Sequence, residues 1–428
     1  MQTIIWNELD DTQKQQILER PSITNANQIS SAVAAIIAQV KEQGDQALNE
    51  LTAKFDKVTD QCIEVSAEQL DNSGRSLSDA FKQAIQLASK NIRQFHEAQK
   101  PRPVMIETTP GVRCELRYSA IPHVGLYVPG GSAPLPSTVM MLAIPAIMAG
   151  CQTIALCSPP PISDAILYTA KVCGITNVYA VGGAQAIAAM AYGTETVPKV
   201  DKIFGPGNAF VTEAKKQVSE DYKGAAMDIP AGPSEVLVIA DKQANPAYVA
   251  ADLLSQAEHG PDSQVVLVTD SSAQAAAIES EINRQVILLA RREIAEKALN
   301  NSQLIVVESI EEAVTVSNTY GPEHLIIQTE NPRQWLSRVN SAGSVFLGAW
   351  TPESVGDYAS GTNHTLPTYG YTRTYSSLGT IDFMKRFTVQ QLTQEGLMRL
   401  APTVIEIANA EGLTAHRRAV TLRTGEEQ

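Results

Sequence analysis

From Pro122 onward the chain alternates short β-rich apolar runs with helical stretches, and this alternation constrains the fold more than any other feature. The runs lie at 123–128, 153–156, 177–181 and 202–204, then in a second series at 236–239, 265–268, 304–307, 325–327 and 344–347. They are three to six residues long and lack polar alternation, the pattern of strands buried on both faces of a parallel sheet. Between them stand helix starts such as Asn245-Pro246 and Asn331-Pro332, a cap residue followed by proline at the first helical position. Two such series predict two α/β units rather than one.

The flanks read differently. Residues 1 to about 120 are mostly helical in pattern: 29–55 carries Val33, Ile36, Ile37 and Val40 at three- and four-residue spacing, and 77–95 repeats the motif. After about 378 the strand texture is lost, and 402–410 reads as helix before a basic end. At 428 residues the chain has room for two to four domains, and 44% apolar against 18% charged residues supplies a large core and excludes wholesale disorder. Thirty-three Lys and Arg against 46 Asp and Glu give −13, which disfavours nucleic acid and anionic membranes as partners. The longest apolar stretch, 139–149, is short for a membrane span and contains Pro145. Five cysteines without a CxxC pair are expected as reduced, mostly buried thiols. The start, MQTIIWNELDD, has neither the basic nor the long apolar segment of a secretory signal, so a cytoplasmic location is expected.

Three glycine-rich turns follow strands of the first series: Tyr127 to Gly131, Gly182-Gly183-Ala184-Gln185, and Gly205-Pro206-Gly207-Asn208. Each precedes a helical segment and so belongs at the carboxyl edge of a sheet, where open α/β proteins bind ligands. Glycine admits a phosphate close to the backbone, and the following helix offers unpaired N–H groups. None of the three is GxGxxG, however, and the same turns suit plain strand–helix connections.

The second half carries a set of metal-like residues. In LLSQAEHGP, Gln256 and His259 are three apart and are expected on one face of the last turn of a helix. Glu323 and His324 in Gly321-Pro322-Glu323-His324 stand at the mouth of a strand, where a carboxyl and an imidazole supply two different proton-transfer groups. Asp357 and His364 lie in a polar loop too poor in apolar residues to be core. Each pair taken alone is equally at home as a capping pair or a solvated turn.

Taken in order, HVGLYVPGG, VGGAQAIAAMAYGT, IFGPGNAFV, AGPSEVLVIAD, LLSQAEHG, GPEHL, SVGDYASGTNHTLPT and EGLTAHRRA resemble the histidinol dehydrogenase family over nearly the whole chain. The resemblance implies two Rossmann-like parallel-sheet domains with small helical terminal segments, in an intertwined homodimer. It divides the chain into an N-terminal helical segment (1–22), a metal-holding α/β domain (23–126 with 236–377), an NAD-contacting α/β domain (127–235), and a helical tail (378–428) that completes the partner's site.

It further implies oxidation of L-histidinol through L-histidinaldehyde to L-histidine with zinc and NAD, the last step of histidine biosynthesis. By motif, Gln256, His259, Asp357 and His416 match the zinc ligands, and Glu323 with His324 the catalytic acid–base pair. Tyr127, Gln185 and Asn208 match the NAD-contacting positions. Ser234, His364 and Glu411 match substrate-contacting positions, and the four zinc-ligand positions together with His324 also border the substrate. The ligand set holds no thiolate, so the metal is expected to be functional rather than structural, and manganese suits it too. Other readings of the same residues are a relative oxidising another small alcohol, a zinc hydrolase, or a non-enzymatic metal-binding protein. His364 and Glu411 speak against the first, and the glycine-rich turns against the others.

Overall fold

The computed structural model describes residues 1–20, 26–59, 62–130, 134–230 and 232–426. All nine runs predicted as strands are strands, with ends within two residues of the expected ones. They fall into two parallel sheets. One has five strands, in the order Asn177–Ala180, Thr153–Ser158, His123–Tyr127, Lys202–Phe204, Ala226–Met227. The other has six, in the order Gln2–Ile5, Gln303–Val306, Gln264–Thr269, Glu235–Ala240, His324–Gln328, Ser344–Leu347. Within each series the first strand is central, the next two step to one side and the last two to the other. The chain thus winds the same way twice. Apolar cores lie on both faces of each sheet, as the uninterrupted apolar runs require.

Three expectations about the flanks are corrected. Residues 1–22 were expected to be helical, but Gln2–Ile5 is a parallel edge strand on Gln303–Val306, followed by a short 3-10 turn and the helix Asp11–Leu18. Only Ile4 of that strand is buried, so the strand exists through a distant pairing that no local pattern displays.

Residues 23–126 were expected to join the metal-holding layer. Instead Val33, Ile37, Val40, Leu48 and Leu51, from the helices Ala26–Gln43 and Asp45–Phe55, share a core with Tyr127 and Ile187 against the five-stranded sheet. His123–Tyr127 is the central strand of that same sheet. The two helices are divided at Gly44, where φ is +55°, a conformation that ends a right-handed helix.

The tail after 378 was expected to be helical throughout. Met384–Leu392 is instead an antiparallel strand on Val112–Ala120, which also pairs with Val104–Thr109 in a three-stranded ribbon. All its residues are exposed or half-exposed, and ladder bonds rather than burial hold it, so hydrophobic periodicity gave no sign of it. Helices Gln394–Ala410 and Thr414–Thr424 follow as expected. Among the described residues no helix is long and apolar enough to cross a membrane.

Candidate active site

At the carboxyl edge of the five-stranded sheet, the strand order reverses between His123–Tyr127 and Lys202–Phe204, and the glycine-rich turns gather there. Tyr127 ends its strand and is buried, and its hydroxyl accepts from the Gly183 N–H at 3.1 Å. Burial pushes its phenol up to about 12. Gln185 is buried in the first turn of the helix Gly183–Tyr192. Asn208 is the cap of the helix Ala209–Glu220, its Oδ1 accepting from Phe210 and Val211 N–H at 3.1 Å each.

Between these, Gly205 has φ +122°, and a Cβ there would run into the Tyr127 carbonyl, so only glycine fits. Behind the turn, Lys215 Nζ donates to Gly205 O at 2.9 Å and Asp228 Oδ2 accepts from Gly205 N–H at 2.8 Å. The two side chains form an ion pair and are 4% and 1% exposed. Gly131, expected to complete the first turn, lies outside the described residues.

The metal-like residues assemble at the opposite kind of edge, the amino edge of the six-stranded sheet. His324 opens the strand His324–Gln328, and its register places it beside Val236, one residue after Glu235. Its Nδ1 lies 3.0 Å from Glu235 O. A carbonyl only accepts, so Nδ1 carries the proton and Nε2 is the basic atom of the neutral ring. That Nε2 is buried with no hydrogen-bond partner and stands 3.6 Å from Asp357 Oδ1. Glu323 Oε2 lies 3.6 Å from His324 Nδ1 and accepts from the Glu235 N–H at 2.8 Å.

Burial opposes charge on the His324 imidazole, but Glu353, Glu323 and Asp357 outweigh it and hold its pKa well above the ordinary value. Burial pushes Glu323 up to about 8, against the pull of His324. For Asp357 burial is likewise opposed by His324, which wins and keeps its carboxyl below the usual range.

Gln256 is fully buried near the end of the helix Pro246–Ala257, but His259 lies beyond that end and is exposed. The expectation that both project from one helical turn is therefore corrected: the helix stops before the glycine, and His259 belongs to the following turn. It still acts electrostatically on Asp357. His364 is half-buried, with Nδ1 3.0 Å from Asp357 O and Nε2 3.2 Å from Thr138 Oγ1. Thr138 belongs to the first turn of the helix Pro136–Ala149, which follows the central strand of the five-stranded sheet. His364 thus joins the amino edge of one sheet to the carboxyl edge of the other. Ser234 immediately precedes the strand carrying Glu235 and is half-buried.

Glu411 and His416 are not brought to this cluster. Both are exposed on the terminal helical hairpin, and among the described residues no hydrogen bond or ion pair joins their side chains to Gln256, His324 or Asp357.

Sequence reasoning missed Glu353. Only 1% exposed, it lies 4.0 Å from His324 Nδ1, and with His324 and Asp357 it forms a set of ligand atoms all within 4.8 Å of one another. Burial pushes its carboxyl up to about 8. Gln256 faces it with its amide nitrogen, donating to both carboxylate oxygens, at 3.0 Å to Oε2. An amide oxygen turned the same way would repel the carboxylate. The available signal was the spacing of Glu353 and Asp357, four apart on one face of the short helix Glu353–Tyr358.

Two doubly wound sheets joined through a buried imidazole, three carboxyls and a glycine-rich edge define an α/β enzyme with a proton-transfer centre. Comparison with known proteins narrows this. The profile of the family described as Histidinol dehydrogenase matches residues 19–424. The histidinol dehydrogenase of Vibrio cholerae is 62% identical over 423 residues, covering 99% of this chain and 98% of that protein. The one from Escherichia coli is 59% identical over 422 residues, covering 98% and 97%. The crystal structure of histidinol dehydrogenase from Elizabethkingia anophelis superposes with a TM-score of 0.96 at 47% identity, covering 100% of this chain and 98% of that one. The chain belongs to the histidinol dehydrogenase family, and is an oxidoreductase.

Proposed function

We propose that the protein oxidises L-histidinol to L-histidine through L-histidinaldehyde in two NAD-dependent steps, with one zinc ion per site, as a cytoplasmic homodimer performing the last step of histidine biosynthesis. The observation that carries the reading is the buried, unpartnered Nε2 of His324 among three carboxyls, set opposite the glycine-rich edge.

Gln256, His259 and Asp357 offer nitrogen and oxygen atoms with no thiolate beside the buried set of His324, Glu353 and Asp357, and such donors suit a hard, catalytic divalent ion. Gln256, His259 and Asp357 would hold it, with the partner subunit's His416 as a fourth ligand, and manganese suits the same atoms. With its nitrogen bonded to Glu353, Gln256 keeps its oxygen free to ligate. Bound there, zinc would polarise the substrate hydroxyl, and NAD held near Tyr127, Gln185 and Asn208 would accept hydride.

The chain's own groups do the rest. A cation at Asp357 would offset the carboxyls that otherwise hold the ring charged, and the neutral His324 Nε2 would then take the alcohol proton as the carbon loses hydride, leaving the aldehyde. Glu323, oriented through Oε2 by the Glu235 N–H, takes a proton from the water that adds to the aldehyde carbon. His324 returns its proton to the aldehyde oxygen to complete the hydrate, whose second oxidation would pass hydride to another NAD and a proton back to His324, giving the acid. Ser234, His364 and the partner subunit's Glu411 border the substrate.

Support for the dimer comes from the arm formed by residues 104–120 and 384–424. Met105, Ile106, Phe387, Met398, Ile407 and Leu413 are all exposed along it. Such a row of large apolar side chains is the mark of a surface meant to be covered. The same arm carries Glu411 and His416 out to solvent.

The test is metal removal. Stripped of metal with a chelator, the protein is expected to lose NADH formation from L-histidinol while its melting profile largely survives, and zinc restores turnover. Full turnover in rigorously metal-free protein would overturn the reading.

A further inference from the structure

The N-terminal segment carries no chemistry of its own in sequence, yet one of its side chains reaches the heart of the site. Arg20 is 9% exposed and grips the Glu235 carboxylate with two bonds, Nε to Oε1 at 3.0 Å and the terminal NH2 to Oε2 at 2.9 Å. Its other donors hold the Tyr320 and Gly321 carbonyls at 2.7 and 3.2 Å, and its guanidinium stacks 3.6 Å over the Tyr320 ring. Glu235, 1% exposed, also accepts from the Tyr369 N–H at 2.9 Å. It heads a strand in which every residue is buried, where a carboxylate without a partner would be costly.

The backbone of this same Glu235 serves both members of the proton-transfer pair. Its N–H fixes the Glu323 carboxylate, and its carbonyl fixes the Nδ1–H tautomer of His324. The turn that Arg20 holds, Tyr320-Gly321, leads directly into Glu323. One guanidinium therefore fastens both the peptide that orients the pair and the turn that delivers it. A planar fork does this where an ammonium, a point charge, would not.

We infer that Arg20 is a positioning residue for Glu323 and His324, acting through Glu235 and giving the N-terminal segment a part in turnover. The inference rests on the proposed function, and the experiment keeps the two apart.

Wild type, Arg20→Lys, Arg20→Ala and the double variant Arg20→Met/Glu235→Gln are compared for turnover of L-histidinol with NAD, zinc affinity and amide hydrogen exchange. The double variant leaves no unpaired buried charge and so guards against simple misfolding. Arg20→Lys and the double variant are expected to lower kcat at least tenfold, with KM and zinc affinity within threefold of wild type. Guanidinium, but not methylammonium, restores part of the kcat of Arg20→Ala. Exchange rises in the peptide spanning 320–324 of the double variant whether or not histidinol is the substrate.

Absence of turnover in zinc-loaded wild type would sink the functional reading alone, and the exchange result still decides the positioning role. Wild-type kcat in both Arg20→Lys and the double variant, or unchanged exchange at 320–324, would overturn the inference.

Discussion

The buried pair Lys215–Asp228 behind the Gly205 turn allows a quantitative test of how the glycine-rich edge is held. Lys215→Met leaves the Asp228 carboxylate 1% exposed and without its counter-charge, and removes the donor to Gly205 O. Breaking one side of such a pair costs about 3–5 kcal/mol, and the lost hydrogen bond about 1 kcal/mol more. Asp228→Asn strands the ammonium at comparable cost, although its amide oxygen can still accept from Gly205 N–H. The double variant strands neither charge and keeps that one bond. Its cost is therefore about 1–2 kcal/mol rather than the roughly 7–11 kcal/mol that addition would give. Urea titrations of the four proteins measure this cycle, and each single variant should also melt on the order of 10 °C lower. NAD affinity should fall in all three, since each loosens the turn ending at Asn208. Strictly additive losses, or a Lys215→Met protein within 1 kcal/mol of wild type, would refute the reasoning.

Other consequences are equally open to measurement. Glu353→Ala frees the Gln256 amide to rotate, and calorimetric titration of the metal-free protein should show zinc binding weakened by about 10–100-fold; unchanged affinity would contradict that orienting role. Asp252 sits against Gln328 Nε2 at 2.6 Å, and burial raises its carboxyl to about 7 from 3.8. The folded state thus holds a proton that the unfolded chain releases earlier, and this group withdraws stability as pH climbs from about 4 to 7, by up to about 4 kcal/mol. Asp252→Asn should narrow that loss, so its stability relative to wild type rises between pH 5 and pH 8, and a constant difference would count against the shift. Finally, inactive Asp357→Ala and His416→Ala proteins, dissociated and reassembled together, should regain about a quarter of wild-type activity, because half the dimers then hold one intact site of two. No recovery in proven mixed dimers would assign His416 to its own chain.

The central architecture was legible because it is written in local pattern. Short apolar runs such as the four residues Val265–Val268 read as doubly buried strands once helices flank them, and proline after a cap residue marks where helices begin. The pieces that escaped are those formed by distant pairing or by charge. Gln2–Ile5 buries one residue, and Met384–Leu392 buries none, so neither carries a hydrophobic signature. The helices before residue 98 were visible, but nothing local tells Val33 or Leu48 which sheet to cover.

At the site, motif resemblance pointed to Gln256, Glu323, His324 and Asp357, which the fold gathers. It passed over the residues that hold them. Glu353, Glu235 and Arg20 act through burial and hydrogen bonds between segments more than two hundred residues apart in the case of Arg20 and Glu235. Two local hints were present: the four-residue spacing of Glu353 and Asp357, and the acid Glu235 at the head of an apolar strand, since such a residue must find a buried partner.

The most direct measurement of the whole account is a count of reducing equivalents. With zinc-loaded protein, excess NAD and a limiting amount of L-histidinol, complete reaction is expected to yield two NADH for each L-histidinol consumed, with L-histidine as the product. One NADH with aldehyde accumulating, or none at all, would contradict the pairing of His324 and Glu323 in successive oxidations at a single site.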